Sequence, residues 1–155
     1  MVEEHSNQVF TADNFFEIAK AYPFGMSKIG GEMIVRDPMF LGENQSMICA
    51  GEVPKGCFVE ILHGDIESLV SAAKSAKTTA KESFQPTENT VMILIDCISR
   101  VLVMGDQFQE ELAAVREDGT PLFGALTIGE IANNSDTCLE FHNKTAVVGF
   151  FERPL

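Results

Sequence analysis

Residues 90–100 read TVMILIDCISR. The run from Thr90 to Ile95 is apolar on every second position and on the positions between, so it cannot be a strand with one wet face. It predicts a central strand over 90–96, covered on both sides. The run then stops at Asp96-Cys97, and Arg100 follows three residues later. Loops converge at the ends of central strands, so polar groups there mark a place where chemistry can be held.

Working outward from this strand, Asp65 is placed to cap a helix over 66–84, with Ile66, Leu69, Val70, Ala73, Ala76, Ala80 and Phe84 as its apolar stripe. Lys74, Lys77 and Lys81 form its solvated side. After the strand, Asp106 and Gln109 predict a capping box for a helix near 107–117 that carries Phe108, Leu112 and Val115. LFGALTIG (122–129) and TAVVGFF (145–151) predict two more strands, joined through a polar segment. Toward the N-terminus, 12–22 has helical spacing at Phe15, Ile18, Ala19 and Tyr22, with Thr11 as its cap and Pro23 as its stop. PFGMSKIGG is punctuated as a loop. EMIVRD (32–37) predicts a strand closed by a turn at Asp37-Pro38. SMICAG (46–51) and CFVEILHG (57–64) predict a hairpin about the turn EVPKG. The order helix, three strands, helix, strand, helix, two strands is neither strict alternation nor all-β. It predicts an α+β fold, a mixed and largely antiparallel sheet with helices packed on it, as a single compact domain over 1–155, with 1–10 exposed or without fixed structure.

The chain has 155 residues and a formal net charge of −12. Such an acidic surface repels phosphate backbones and anionic lipid heads, and no Lys/Arg cluster opposes it, so nucleic acid and membrane are excluded as partners. Hydrophobic residues make up 45% of the chain, enough for a core. The N-terminus MVEEHSNQVF lacks the apolar run of a signal peptide, and no segment is long enough to span a membrane. Cys49, Cys57, Cys97 and Cys138 form no C-x-x-C pair. A cytoplasmic protein with free thiols is expected. His5, His63 and His142 are too scattered for a metal site, glycine-rich phosphate loops are absent, and no cofactor is expected.

Three constellations could carry chemistry. Cys97 beside Arg100 could hold a thiolate, the guanidinium favouring the charged form; equally, Cys97 could be a small buried residue and Arg100 an ion-pair partner. Glu130, directly after Gly129, could receive an ammonium group or pair with an arginine such as Arg36 or Arg100 at the ends of apolar runs. Cys97, His142 and Asn143 supply the residue types of a nucleophilic site.

These landmarks, taken in order, resemble the C-terminal half of FIST domains, the F-box and intracellular signal transduction family. Pro23-Phe24-Gly25 resembles its opening loop and Val35-Arg36-Asp37 its first strand. Residues 51–56 (GEVPKG) resemble its G-x-V-P-x-G turn, and Cys97-Ile98-Ser99-Arg100 its C-x-x-R. Gly105 and Glu111 fit the following helix. Gly129-Glu130-Ile131 resembles its G-E-I, and His142-Asn143-Lys144-Thr145 its closing H-N-x-T. Family members often have a small residue, commonly Gly, between the Cys and the Arg, where this chain has Ser99 directly before Arg100. The resemblance implies an intracellular sensory module that binds a small ligand such as an amino acid. It also implies a partner, either a separate FIST N-terminal half or a signalling protein; a module acting alone and an excised piece are the other arrangements. Joined to the residues, it yields one expected ligand site: Arg36, Cys97, Arg100, Glu130, His142, Asn143 and Thr145. Arg100 would clamp a ligand carboxylate, Glu130 would meet an ammonium, and Asn143 and Thr145 would orient the rest. The rival expectations are a redox sensor or enzyme centred on Cys97, and a ligand-free assembly module. The apolar composition leaves room for a homo-oligomer.

Overall fold

The computed structural model describes residues 2–27, 33–132 and 139–153. Helices α1 (Val2–Ser6) and α2 (Phe15–Ala19) are followed by strands β1 (Phe24–Met26), β2 (Ile34–Arg36), β3 (Pro38–Leu41), β4 (Met47–Cys49) and β5 (Val59–Ile61). Then come α3 (Ile66–Glu82), β6 (Thr90–Cys97), α4 (Ile98–Met104), α5 (Phe108–Val115), β7 (Leu122–Thr127), β8 (Glu130–Ala132), β9 (Glu140–His142) and β10 (Ala146–Glu152). The fold is α+β, with mixed and largely antiparallel pairing: the ladders β1–β2, β1–β5, β3–β4 and β6–β10 are antiparallel, and β6–β7 is parallel. Contacts divide the chain into two compact units, residues 1–64 with 131–144, and residues 65–130 with 145–155.

The second unit is built on the strand that opened the sequence. β6 lies between β10 and β7, as its apolar run requires. Register sets Leu94 opposite Val148 on one side and Gly124 on the other. Met92 and Leu94 meet Ala73 of α3 and Val115 of α5 in the core, with Leu112, Leu122, Val148 and Phe150 packed around them. Parallel strands need a long crossover, and residues 98–121 supply it through α4 and α5. Asp65 does cap α3, accepting from the Ser68 N–H at 2.8 Å. The lysine stripe is less wet than expected: Lys81 reaches Glu117 at 2.7 Å, and Lys77 donates to the Arg116 carbonyl at 3.2 Å. The expected capping box is absent. Asp106 lies in a 3-10 turn (Gly105–Gln107), and the cap position of α5 is Gln107, which makes no side-chain cap bond. Gly124 is where β7 comes closest to β6: a Cβ there would lie 1.8 Å from the Leu94 carbonyl oxygen. Backbone cannot yield as a side chain does, so Gly124→Ala is expected to lower unfolding free energy by about 1–3 kcal/mol in urea titration.

The first unit corrects the expected hairpin over 46–64. β4 pairs back on β3, with Leu41 opposite Met47, and β5 pairs with β1, with Phe24 opposite Ile61. In sequence both partners resemble punctuation. Pro38 is the first residue of its strand, where its missing N–H costs nothing, and Pro23 precedes β1 rather than opening a loop. The rest of that expected loop, 28–31, lies outside the described residues, as does Cys138. The first helix is shorter than expected, starting at Phe15 rather than near 12. Thr11 and Asn14 bond reciprocally just ahead of it, Thr11 N–H to Asn14 Oδ1 at 2.8 Å and Asn14 N–H to Thr11 Oγ1 at 3.3 Å. The N-terminal stretch carries α1, and Val9 is 71% exposed.

Candidate functional site

The end of β6 is polar because β6 runs directly into α4. Asp96 is the last helix-facing residue of the strand, and Arg100, four residues on, turns back toward it, with Nε 3.3 Å from Oδ1. Glu111 projects from the inner face of α5 and takes the guanidinium as a fork, Nε to Oε1 at 3.0 Å and Nη2 to Oε2 at 2.5 Å. Nη2 also donates to the Leu69 carbonyl of α3 at 2.8 Å. Arg100 and Glu111 are both buried, so this bidentate pair joins α3, α4, α5 and β6 through one side chain.

Asp96 is the exposed cost of that arrangement in energy, though not in area: it is 1% accessible, and its two carboxyl oxygens accept no hydrogen bond among the described residues. Burial pushes its pKa up to about 8, the facing Glu111 carboxylate pushes the same way, and Arg100 opposes them. At neutral pH Asp96 therefore holds a proton, which faces Glu111.

Beside this cluster, Glu130 is buried and accepts from two hydroxyls, Thr127 at 2.6 Å and Thr145 at 2.5 Å. The Cys97 N–H donates to the Thr145 carbonyl at 3.1 Å, which fixes the start of β10 against the end of β6. The Cys97 thiol is 1% exposed and lies 3.1 Å from Ser99 Oγ. Cys97, Arg100, Glu130 and Thr145, four of the expected site residues, thus share one unit.

Arg36, His142 and Asn143 belong to the other unit. Arg36 donates to the carbonyls of Glu52 at 3.0 Å, Val35 at 3.0 Å and Phe141 at 2.6 Å, and lies 5.5 Å from the Phe141 ring centroid. Burial pushes its pKa below the usual guanidinium value. Gly51, at φ +108, sits against it: a Cβ there would lie 2.9 Å from Arg36 Nε. Asn143 Oδ1 accepts the Asp37 N–H at 3.2 Å, and its own N–H donates to Val35 at 3.3 Å. Lys144 Nζ lies 2.9 Å from Asp37 Oδ1. His142 is 6% exposed at the end of β9. The closing H-N-K segment therefore stitches residues 141–144 to β2.

Glu111 and Thr127 were not among the expected site residues, and Asp96 entered only as the polar end of the strand. Glu111 was the legible one: with Phe108, Leu112 and Val115 it falls on the apolar face of α5, where a lone acid needs a buried cation. Among the described residues no group of three or more His, Cys, Asp or Glu is placed to hold a metal ion, and no helix is long and apolar enough to cross a membrane.

Compared with known proteins, residues 5–133 match the family model of the FIST C domain. No curated protein and no solved structure matches the chain.

Proposed function

The chain belongs to the FIST C domain family, whose members are signal-transduction sensory domains, and on that premise we propose that it binds a small, amino-acid-like ligand at the end of β6. The observation that carries this reading is the buried Asp96 carboxyl, which among the described residues accepts no hydrogen bond and meets only the Arg100 guanidinium at 3.3 Å and the facing Glu111 carboxylate. A fold needs no such group, and a site often does. The ligand's ammonium pairs with the Glu130 carboxylate and donates to the uncharged Asp96 carboxyl, with the Thr127 and Thr145 hydroxyls orienting it. Arg100 is the cation of the cluster and takes the ligand carboxylate in exchange for Glu111. That exchange shifts α4 against α5, which gives the sensor an output. Arg36, His142 and Asn143 enter as the framework of the other unit rather than as ligand contacts. A signalling protein or a separate FIST N-terminal half receives the signal.

Calorimetry against a panel of amino acids, with matched amines and carboxylic acids lacking one charge, tests this. Heat is expected from compounds carrying both groups, and loss of that heat in Glu130→Gln, an isosteric change. Silence across the panel from folded protein, or full binding by Glu130→Gln, overturns the reading.

The thiol-centred alternative predicts a fast-reacting Cys97. Burial argues for the reverse order: Cys57 is exposed, Cys49 is intermediate with its pKa raised by burial, and Cys97 is buried. Timed alkylation with peptide mass mapping is expected to label Cys57 first and Cys97 at least tenfold (~1.4 kcal/mol) more slowly. Preferential labelling of Cys97 would restore the redox reading.

A further inference from the structure

β7 is the edge of the second unit's sheet, and it is an unguarded edge. The order is β10-β6-β7, so among the described residues one side of β7 has no strand beside it. Natural edges are blunted by charge, proline, bulges or a covering element. LFGALT has no charge and no proline, its ladder with β6 runs without a register shift, and its four middle residues are exposed. Phe123 is 52% and Leu126 49% accessible, and Ile128, just beyond the strand, is 71%. An unbroken row of backbone donors and acceptors flanked by apolar side chains fits another extended strand.

We infer that β7 is a docking edge for a second copy of this chain, paired antiparallel with its own β7 about a two-fold axis. Charge favours this location for contact between copies. Each carries −12, so they repel over most of their surfaces, and they can close where neither contributes charge. No charged residue occurs from Pro121 to Gly129. Shape supports it as well. Alternation puts Phe123 and Ala125 on one face of the strand, and Leu122, Gly124 and Leu126 on the other. With Gly124 on the axis, Phe123 lies across from Ala125 of the second copy, large against small, on one face. On the other, Leu122 lies across from Leu126 of the second copy. A two-fold pairing makes both contacts twice with the same residues. The product is a continuous sheet, β10-β6-β7-β7-β6-β10.

Sedimentation velocity across a concentration series, paired with hydrogen exchange at low and high concentration, tests this. The expected result is a concentration-dependent shift from 17.0 kDa to twice that mass, with slowed exchange confined to peptides over 122–127. Added salt should strengthen the association, since it screens like charges. Phe123→Glu or Leu126→Glu should abolish the shift, whereas Leu102→Glu, on an exposed apolar position of α4, should leave it intact. A monomer at every concentration overturns the inference. So does a dimer that ignores both β7 substitutions, or one that leaves β7 exchange unchanged in the wild-type chain. A monomer that takes up a neutral extended peptide along β7 overturns the second copy as occupant. The association is read without added ligand, and Phe123, which pairs with Ile93 rather than with the end of β6, keeps it separate from the ligand site that Thr127 shares.

Discussion

Arg100→Ala is expected to lower unfolding free energy by about 3–5 kcal/mol, a large share of what a domain of this size holds. The reason is what the substitution leaves behind. Glu111 loses its fork of two N–H donors in a place with no measurable access to water, Asp96 loses the nearby positive charge, and the Leu69 carbonyl loses a donor. Glu111→Ala should cost a similar amount by stranding the guanidinium. Arg100→Met with Glu111→Leu should cost clearly less than the two single changes summed, because a buried ion pair replaced by apolar groups of similar volume removes the desolvation cost along with the attraction. Urea titration of the four chains measures this. Additive losses, or a single-variant loss under about 1 kcal/mol, a value typical of exposed pairs, would show that the pair does not hold the helices to β6.

The second expectation concerns pH. Asp96 has a folded pKa pushed up to about 8 from the ordinary 3.8. Between those values the folded chain binds the proton and the unfolded chain does not, so this group's contribution to stability falls as pH rises. It is fully present below about pH 4 and lost once the pH passes about 8. Asp96→Asn keeps the shape and removes the titration. The variant is expected to have a flatter profile of Tm against pH and a higher Tm than the parent chain at and above pH 8. Parallel profiles for the two chains would place the Asp96 proton elsewhere. The same substitution separates this buried carboxyl from ordinary surface acids, whose paired forms lose stability in the opposite direction, as pH falls.

These two expectations rest on features that were unequally legible beforehand. The Asp96, Cys97 and Arg100 positions stood out because they end an apolar run, and the structure does place them at the end of a central strand. Glu111 was legible as an acid on the apolar face of α5, but not as their partner. Nothing local in the sequence tells Arg100 that Glu111 rather than Glu130 will face it, since both lie a loop or a helix away. Glu130 instead takes two threonine hydroxyls, one of them from Thr127, three residues earlier on its own segment. Arg36 and Asn143, expected among the ligand groups, bond backbone carbonyls and an amide next to β2.

The amino-acid order by itself determined the fold class, the capped α3, the central β6, the strands β7 and β10, and the family. Each of these follows from periodicity, a cap or a motif confined to a few consecutive residues. Strand partnering in the first unit, the short β1 and β3, the α4 turn after Cys97, and the choice of Glu111 for Arg100 were decided by tertiary structure. Three-residue strands carry too little pattern to name their partners, and a proline at a strand's first residue looks the same in sequence as a proline in a turn. A buried charge shows in the sequence only as an acid or a base; which opposite charge meets it depends on where the helices pack, and that is fixed by burial of apolar surface, not by the ions themselves.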